Sequence, residues 1–221
     1  MRLAITVLVE NTVARPGLLG EHGLALWIEV AGHRILFDTG QSRLVLANAR
    51  KLGINLGDAD AIILSHGHYD HTGGLAAVLR ISPHPRVFTH PAALSPKFSR
   101  HPAGDIRNIG MPRAGRRLLL HDAGVLRTNE WPVEVFPGFS LTGPPPRTAD
   151  FEDTGGDFLA DRQGQNPDLL PDDQAAFIDA PEGTVVILGC AHAGISNTLR
   201  QVRRLTGNRT IAMVIGGMHL N

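Results

Sequence analysis

The 221-residue chain has one cysteine, Cys190, which excludes an intrachain disulfide framework and suits a reducing compartment. Lysine is almost missing: only Lys51 and Lys97 occur, so arginine carries nearly all the positive charge. Net charge is missing too. The 21 basic residues balance 21 acidic ones, which argues against a nucleic-acid or polyanion binder. No apolar run approaches the ~20 residues that a bilayer span needs. The N-terminal stretch MRLAITVLVENTV has a single Arg and no small-residue cleavage site, so it reads as a first strand and not as a signal peptide. A cytoplasmic protein with no membrane and no nucleic-acid partner is expected. Histidine, by contrast, is abundant, with 11 residues. Apolar residues at 43% and charged residues at 19% fit a globular chain, here one domain over 1–221.

Strands are expected at 2–9, 24–30 and 33–37, the last two turning at Ala31-Gly32. A helix follows over 42–52, with Ser42 as N-cap and Gly53 as stop. The uniformly apolar run 61–64 predicts a strand buried on both faces. A helix over 72–80 and a strand at 86–89 come next. Residues 95–121 are basic, and short strands are expected at 117–120, 124–127, 133–136 and 139–142. Residues 143–173 are rich in Pro, Gly and Asp and read as a lid or insertion loop. Strands at 175–178, 184–189 and 210–215 enclose a helix at 195–206, with Ser196 as its cap. The order suggests two similar α/β halves.

Three histidines fall in one hexapeptide, His66-Gly67-His68-Tyr69-Asp70-His71, between a buried strand and a helix start. In an extended segment residues i and i+2 point the same way, so His66 and His68 can reach one ion together. Asp70 and His71, at the turn into the helix, can face a neighbouring ion. Imidazole and carboxylate donors suit Zn²⁺, Fe or Mn. Gly73-Gly74 lets the helix begin close to this site without a Cβ in the way.

His-x-His-x-Asp-His after a strand resembles the signature of the metallo-β-lactamase fold hydrolases. Further blocks resemble one subgroup, related to a dihydropterin–ribofuranosylaminobenzene-phosphate synthase. They include Glu21-His22-Gly23-Leu24, Leu36-Phe37-Asp38-Thr39-Gly40, Asp172-Asp173-Gln174-Ala175, Gly189-Cys190-Ala191-His192-Ala193-Gly194 and Gly216-Gly217-Met218-His219. The resemblance implies an α/β fold, a four-layer αββα sandwich of two half-repeats, holding two divalent metal ions. Zn²⁺ is favoured over Fe or Mn. His66 and His68 would bind the first ion, Asp70 and His71 the second, and His219 matches the family's C-terminal ligand. The superfamily's bridging Asp has no match. Either His192 or Cys190 serves there, and His192 is favoured because its long side chain leaves the strand end toward the ions. Cys190 alone reads as a small buried residue. Asp38 is expected to orient a metal-binding His, with Asp70 catalytic as ligand and orienter of the nucleophile. Glu21 and His22, in the loop that overhangs the metals in this fold, are candidate substrate contacts. His90 is a candidate substrate contact or extra ligand. His33, His84, His101 and His121 are expected to face solvent. Two departures stand out. The subgroup usually carries a further helix and strand beyond Gly-Gly-x-His-Leu, which this chain is expected to lack, and Thr142-Gly143-Pro144 has no acid between its Gly and Pro.

The chemistry so implied is attack by a metal-activated hydroxide on an electrophilic carbon or phosphorus. The leading expectation is hydrolysis of a phosphoester, cyclic phosphodiester or lactone-like bond in a small anionic molecule, which the basic stretch 95–121 would suit. A synthase or transferase of pterin-type cofactor assembly is the alternative, with Phe88, Phe98 and Trp131 as candidate aromatic faces. A metal-binding protein without turnover is the third. The oligomeric state is left open, and a dimer is compatible with the sequence.

Overall fold

The structure is a computed structural model and describes residues 2–83, 85–122, 124–153 and 155–219. His84, expected to face solvent, lies outside the described residues. In chain order, β1 (Leu3–Val9), β2 (Ala25–Val30) and β3 (His33–Phe37) lead to α1 (Leu44–Lys51). β4 (Ala61–Ile63) runs into α2 (Tyr69–Thr72), α3 (Leu75–Leu79) and β5 (Arg86–Thr89). β6 (Phe98–Arg100) and β7 (Ile106–Asn108) precede α4 (Arg113–His121) and β8 (Leu126–Thr128). β9 (Val133–Phe136), β10 (Phe139–Leu141), β11 (Phe158–Leu159), β12 (Ala176–Ala180), β13 (Gly183–Leu188), α5 (Ile195–Leu205) and β14 (Ile211–Gly216) complete the order. These elements form two units, Arg2–Thr89 with Met111–Thr128, and His90–Gly110 with Asn129–Asn221.

The first unit holds a sheet in the order β1-β2-β3-β4-β5-β8. Ala31 and Gly32 are both left-handed, so the two-residue turn folds β2 onto β3 as the sequence predicts. β3, β4, β5 and β8 are parallel neighbours. β4 is wholly buried, the reason its sequence is apolar without alternation. Because Phe37 pairs with Ile63, the ends of β3 and β4 deliver Asp38 and the Ser65–His71 turn side by side. Asp38 N–H seals this by donating to Ile63 O at 2.8 Å.

The helix expected over 72–80 is observed only as α3, and a short α2 precedes it, ending at Thr72 before Gly73-Gly74. A Cβ on Gly73 would stand 1.9 Å from Gln41 O, and one on Gly74 2.2 Å from Thr39 O. The glycines therefore let the backbone lie against the 39–41 turn. The strand expected at 117–120 is instead part of α4. Its Arg and Leu residues follow the helical period, with Gly115 and Leu119 buried and Gly115 set against Leu75 of α3. The N-cap of α1 is Arg43 and not Ser42, though Ser42 Oγ accepts from Leu44 N–H at 3.1 Å.

The second unit holds a sheet in the order β14-β13-β12-β10-β9, with β13 and β14 parallel. Phe177, Val186, Leu188 and Val202 form a core with Ile195, Leu199 and Val214, which packs α5 on the sheet. A small sheet, β11-β6-β7, joins residues from the 95–121 and 143–173 stretches. Its strands are too short and polar to show a period-2 pattern. Residues 143–173 are tied down at several points. Asn197 Oδ1 accepts from the N–H of Thr148 and of Ala149, both at 2.9 Å. The Glu152 carboxylate accepts from Ser196 N–H at 2.6 Å and Asn197 N–H at 3.0 Å. Glu152 thus caps α5 from 44 residues away, in place of the expected Ser196. No helix among the described residues is long and apolar enough to cross a membrane.

Candidate metal centre

The first unit gathers His66, His68, Asp70, His71, Asp38 and His22. Asp38 is fully buried at the end of β3 and accepts three hydrogen bonds. Ser65 N–H donates to Oδ1 at 2.8 Å, Ser65 Oγ–H to Oδ2 at 2.7 Å, and His71 Nδ1–H to Oδ2 at 2.6 Å. That last bond leaves the Nε2 of a neutral His71 as an electron-pair donor. With its hydroxyl proton given to Asp38, Ser65 Oγ accepts from His66 Nδ1–H at 2.8 Å. His66 Nε2 is thereby an electron-pair donor as well, and it lies 3.0 Å from His68 Nδ1. These tautomers follow from the hydrogen-bond chain. The His66 and His71 rings lie 4.3 Å apart, tilted by 51°.

Asp70 Oδ2 lies 3.3 Å from His71 Nε2 and 3.4 Å from His22 Nε2. Burial opposes ionisation of Asp70, yet the hydrogen bond to His71 and the charges of His71, His68 and His22 hold its carboxyl well below the usual carboxylate range. A neutral His71 with its proton on Nδ1 would set two electron-pair donors, Nε2 and Oδ2, facing each other. A cation between them satisfies both. Imidazole and carboxylate together fit a borderline divalent ion, so the residues present suit the metal that the resemblance implies.

The second unit gathers Cys190, His192 and His219. Their ligand atoms all lie within 4.8 Å of one another. Cys190 and His192 leave the end of β13, and His219 leaves the end of its parallel neighbour β14. Gly216 and Gly217 make this possible: a Cβ there would stand 2.0 Å from Leu188 O and 2.3 Å from Gly189 O. The His192 and His219 rings are 4.6 Å apart, and Phe158 meets His192 edge-on at 5.1 Å.

The backbone around His192 is clamped. Arg147 donates from Nη1 to His192 O at 2.7 Å and from Nη2 to Leu169 O at 2.6 Å. Asp173 Oδ2 accepts from Ala193 N–H at 2.7 Å. Burial pushes the Asp173 carboxyl up to about 6, against the pull of the Ala193 and His192 N–H groups. The turn that carries Asp173 is anchored by Lys97, whose buried ammonium donates to Asp168 at 3.0 Å and Asp172 at 2.7 Å.

Other candidates sit elsewhere. Glu21 accepts from the N–H of Gln41 and of Ser42, both at 3.0 Å, and so holds the first loop to the start of α1. His90 caps its own turn, accepting from Ala92 N–H at 3.1 Å. Phe88 lies buried in β5 of the first unit, whereas Trp131, in the second, is 79% exposed. The Arg147 clamp and the Lys97 triad went unforeseen. The adjacent acids Asp172-Asp173 were the available signal, since a carboxylate pair in a chain with two lysines needs partners.

Residues 19–207 match the family described as the metallo-beta-lactamase superfamily. The chain is 31% identical to the 7,8-dihydropterin-6-methyl-4-(beta-D-ribofuranosyl)-aminobenzene-5'-phosphate synthase of Methanocaldococcus jannaschii, over 90% of this chain and 71% of the relative. It is 33% identical to a second protein of that organism, over 98% of this chain and 79% of the other. Among solved structures, Tm1679, a metal-dependent hydrolase of the beta-lactamase superfamily, superposes with a TM-score of 0.81 at 34% identity. That match covers 99% of this chain and 77% of the other. A quorum-quenching N-acyl homoserine lactone lactonase shares the fold at 18% identity and a TM-score of 0.53 over 88% of this chain and 78% of that one.

Proposed function

Because this chain belongs to the metallo-beta-lactamase superfamily, we propose that it is a metal-dependent hydrolase acting on a small anionic molecule. The observation that carries this reading is the tautomer chain from Asp38 through Ser65, which turns the Nε2 atoms of His66 and His71 into electron-pair donors beside His68 Nδ1 and Asp70. The proposed ligands are His66, His68, Asp70, His71, His192 and His219, with zinc as the favoured metal. Two such ions, when bound, bring the pKa of water toward ~7 and neutralise charge on a reacting oxygen. The part proposed for Asp70, at 3.3 Å from His71 Nε2, is to hold metal and orient the nucleophile. Asp38 keeps His71 in the tautomer that can bind.

The substrate's charge has narrower support than the basic stretch suggests. Lys97 is buried between two acids, Arg100 pairs with Asp157, and Arg107 pairs with Asp105. Arg113, Arg116 and Arg117 remain, lining an open hollow of about 350 Å³ on α4 with Leu120 and His121. A phosphoester is the bond type we favour, since the M. jannaschii relative's name carries a 5'-phosphate. That name also favours a second reading, a synthase of pterin-type cofactor assembly.

Metal analysis with turnover of bis-p-nitrophenyl phosphate tests the two. Two ions per chain with metal-dependent hydrolysis support the hydrolase. Two ions with no hydrolysis, but binding of a dihydropterin phosphate, favour the synthase. Substoichiometric metal and no turnover overturn both. His68→Ala should remove an ion and all turnover, and full activity in that variant would refute the mechanism.

A further inference from the structure

The charges that cancel over the whole chain are segregated, with a basic stripe on the first unit and an acidic tip on the second. α4 carries Arg113, Arg117 and His121 at successive turns, with Arg116 and Leu120 beside them. At about 100° per residue, Arg113, Arg117 and His121 lie across the helix from Gly115 and Leu119. Those two residues are the buried ones, and Gly115 rests against Leu75 of α3. The stripe therefore faces away from α3 and from the donor cluster that precedes it, which leaves it free for another partner. Arg113, Arg116 and Arg117 make no ion pair among the described residues. Asp122, next to His121, accepts from Gly124 N–H at 3.0 Å. Leu120, 56% exposed, gives the hollow of about 350 Å³ an apolar patch among the arginines.

The second unit offers the complement. Phe151 is 71% exposed and stands between the exposed acids Asp150 and Asp153. Glu152 holds this tip from behind, because its carboxylate is taken up by the N–H groups of Ser196 and Asn197. The phenyl ring is thus presented on a tethered turn, and little ordering remains to oppose its burial.

We propose that the Asp150–Asp153 tip of one copy docks into the α4 hollow of a second copy of this chain. Phe151 covers Leu120 and takes guanidinium groups over its ring. Asp150 and Asp153 meet the arginine forks on either side. The lengths agree: three residues of chain span at most about 11 Å, and Arg113 to His121 runs about 12 Å along the helix. An apolar residue within the stripe calls for an apolar group between acids, which the tip supplies and nucleic acid does not. The zero net charge also disfavours nucleic acid. Each copy carries both tip and hollow, so two contacts per pair close a two-fold dimer and one contact per pair leaves an open row.

Sedimentation velocity at concentrations up to about 100 μM tests this. Wild-type protein should self-associate, and raising the salt from about 0.05 to 0.5 M should weaken association about 10-fold or more. Phe151→Ala should weaken it about 10-fold as well. A chain with Arg113→Glu and Arg117→Glu should be monomeric, and so should one with Asp150→Arg and Asp153→Arg. An equimolar mixture of those two chains should associate again, because each acidic patch then meets a basic one on the other chain. If a charge variant fails to fold, Phe151→Ala and the salt series still decide. A monomeric wild type, association that ignores these substitutions, or a mixture that stays monomeric would overturn the contact. A monomer that binds a short DNA duplex through α4 would overturn it in favour of nucleic acid.

Discussion

Replacing Lys97 by Met should destabilise the protein far more than a one-residue change usually does. Lys97 is 1% exposed, and its ammonium is shared by Asp168 at 3.0 Å and Asp172 at 2.7 Å. Asp172 is fully buried and Asp168 nearly so. Met fills much the same volume, so packing changes little. What changes is that two carboxylates lose their only cation of the triad. Removing one member of a buried ion group costs about 3–5 kcal/mol, because the charge left behind has neither water nor partner. With a urea dependence of about 2–3 kcal/mol per molar, the unfolding midpoint should fall by about 1–2.5 M. The decisive control is Lys97→Met with Asp168→Asn and Asp172→Asn. It removes the stranded charges and should recover most of the loss. Urea unfolding followed by circular dichroism at neutral pH measures both. A loss below about 1 kcal/mol in the single variant, or no recovery in the triple, would refute the idea that this triad holds the 168–173 turn.

Further expectations concern the site itself. Asp38→Asn should lower metal affinity about 10- to 100-fold, since it unsettles the His71 tautomer. Competition with a chromophoric chelator measures this, and an unchanged affinity would count against Asp38 as the orienting group. Arg147→Ala should weaken metal binding through the freed His192 carbonyl, and added guanidinium should restore part of it. Failure of guanidinium to restore any would argue against the clamp. His90 should titrate below the ordinary imidazole value, because burial outweighs the pull of Asp172 and Glu130. In the window between its lowered value and 6.5 the unfolded chain binds more protons, so the stability His90 contributes above 6.5 is lost as pH falls through that window. An NMR titration midpoint at or above 6.5 would contradict this.

The legible part of the site was the contiguous part. His66, His68, Asp70 and His71 sit in six residues, and strand geometry alone turns that spacing into a donor cluster. Asp38 was readable as an orienting residue only through the family resemblance, which puts its strand end at the rim of the metal site; the parallel pairing of β3 with β4 is what brings it to His71. The Lys97 triad was harder, since Lys97 lies 71 and 75 residues from its partners and only the adjacent acids Asp172-Asp173 hint that a cation is needed. Residues 117–120 show the opposite failure. Three consecutive leucines look like a buried strand, but α4 places only Leu119 inward and leaves Leu120 at 56% exposure. The β11-β6-β7 sheet escaped because two- and three-residue strands carry too little pattern.

The three bonds accepted by Asp38 have a consequence for transplanting the site. Two of them come from Ser65, 27 residues on, and one from His71, 33 residues on. The hexapeptide does not carry its own instructions for which ring nitrogen is bare. Grafted onto another loop, it would bring four side chains and leave their proton placement to chance. What is portable is a pair of adjacent parallel strand ends, one bearing the acid and the other the histidines. A designer would copy that pair as one piece, and a search for distant kin would score the two ends jointly.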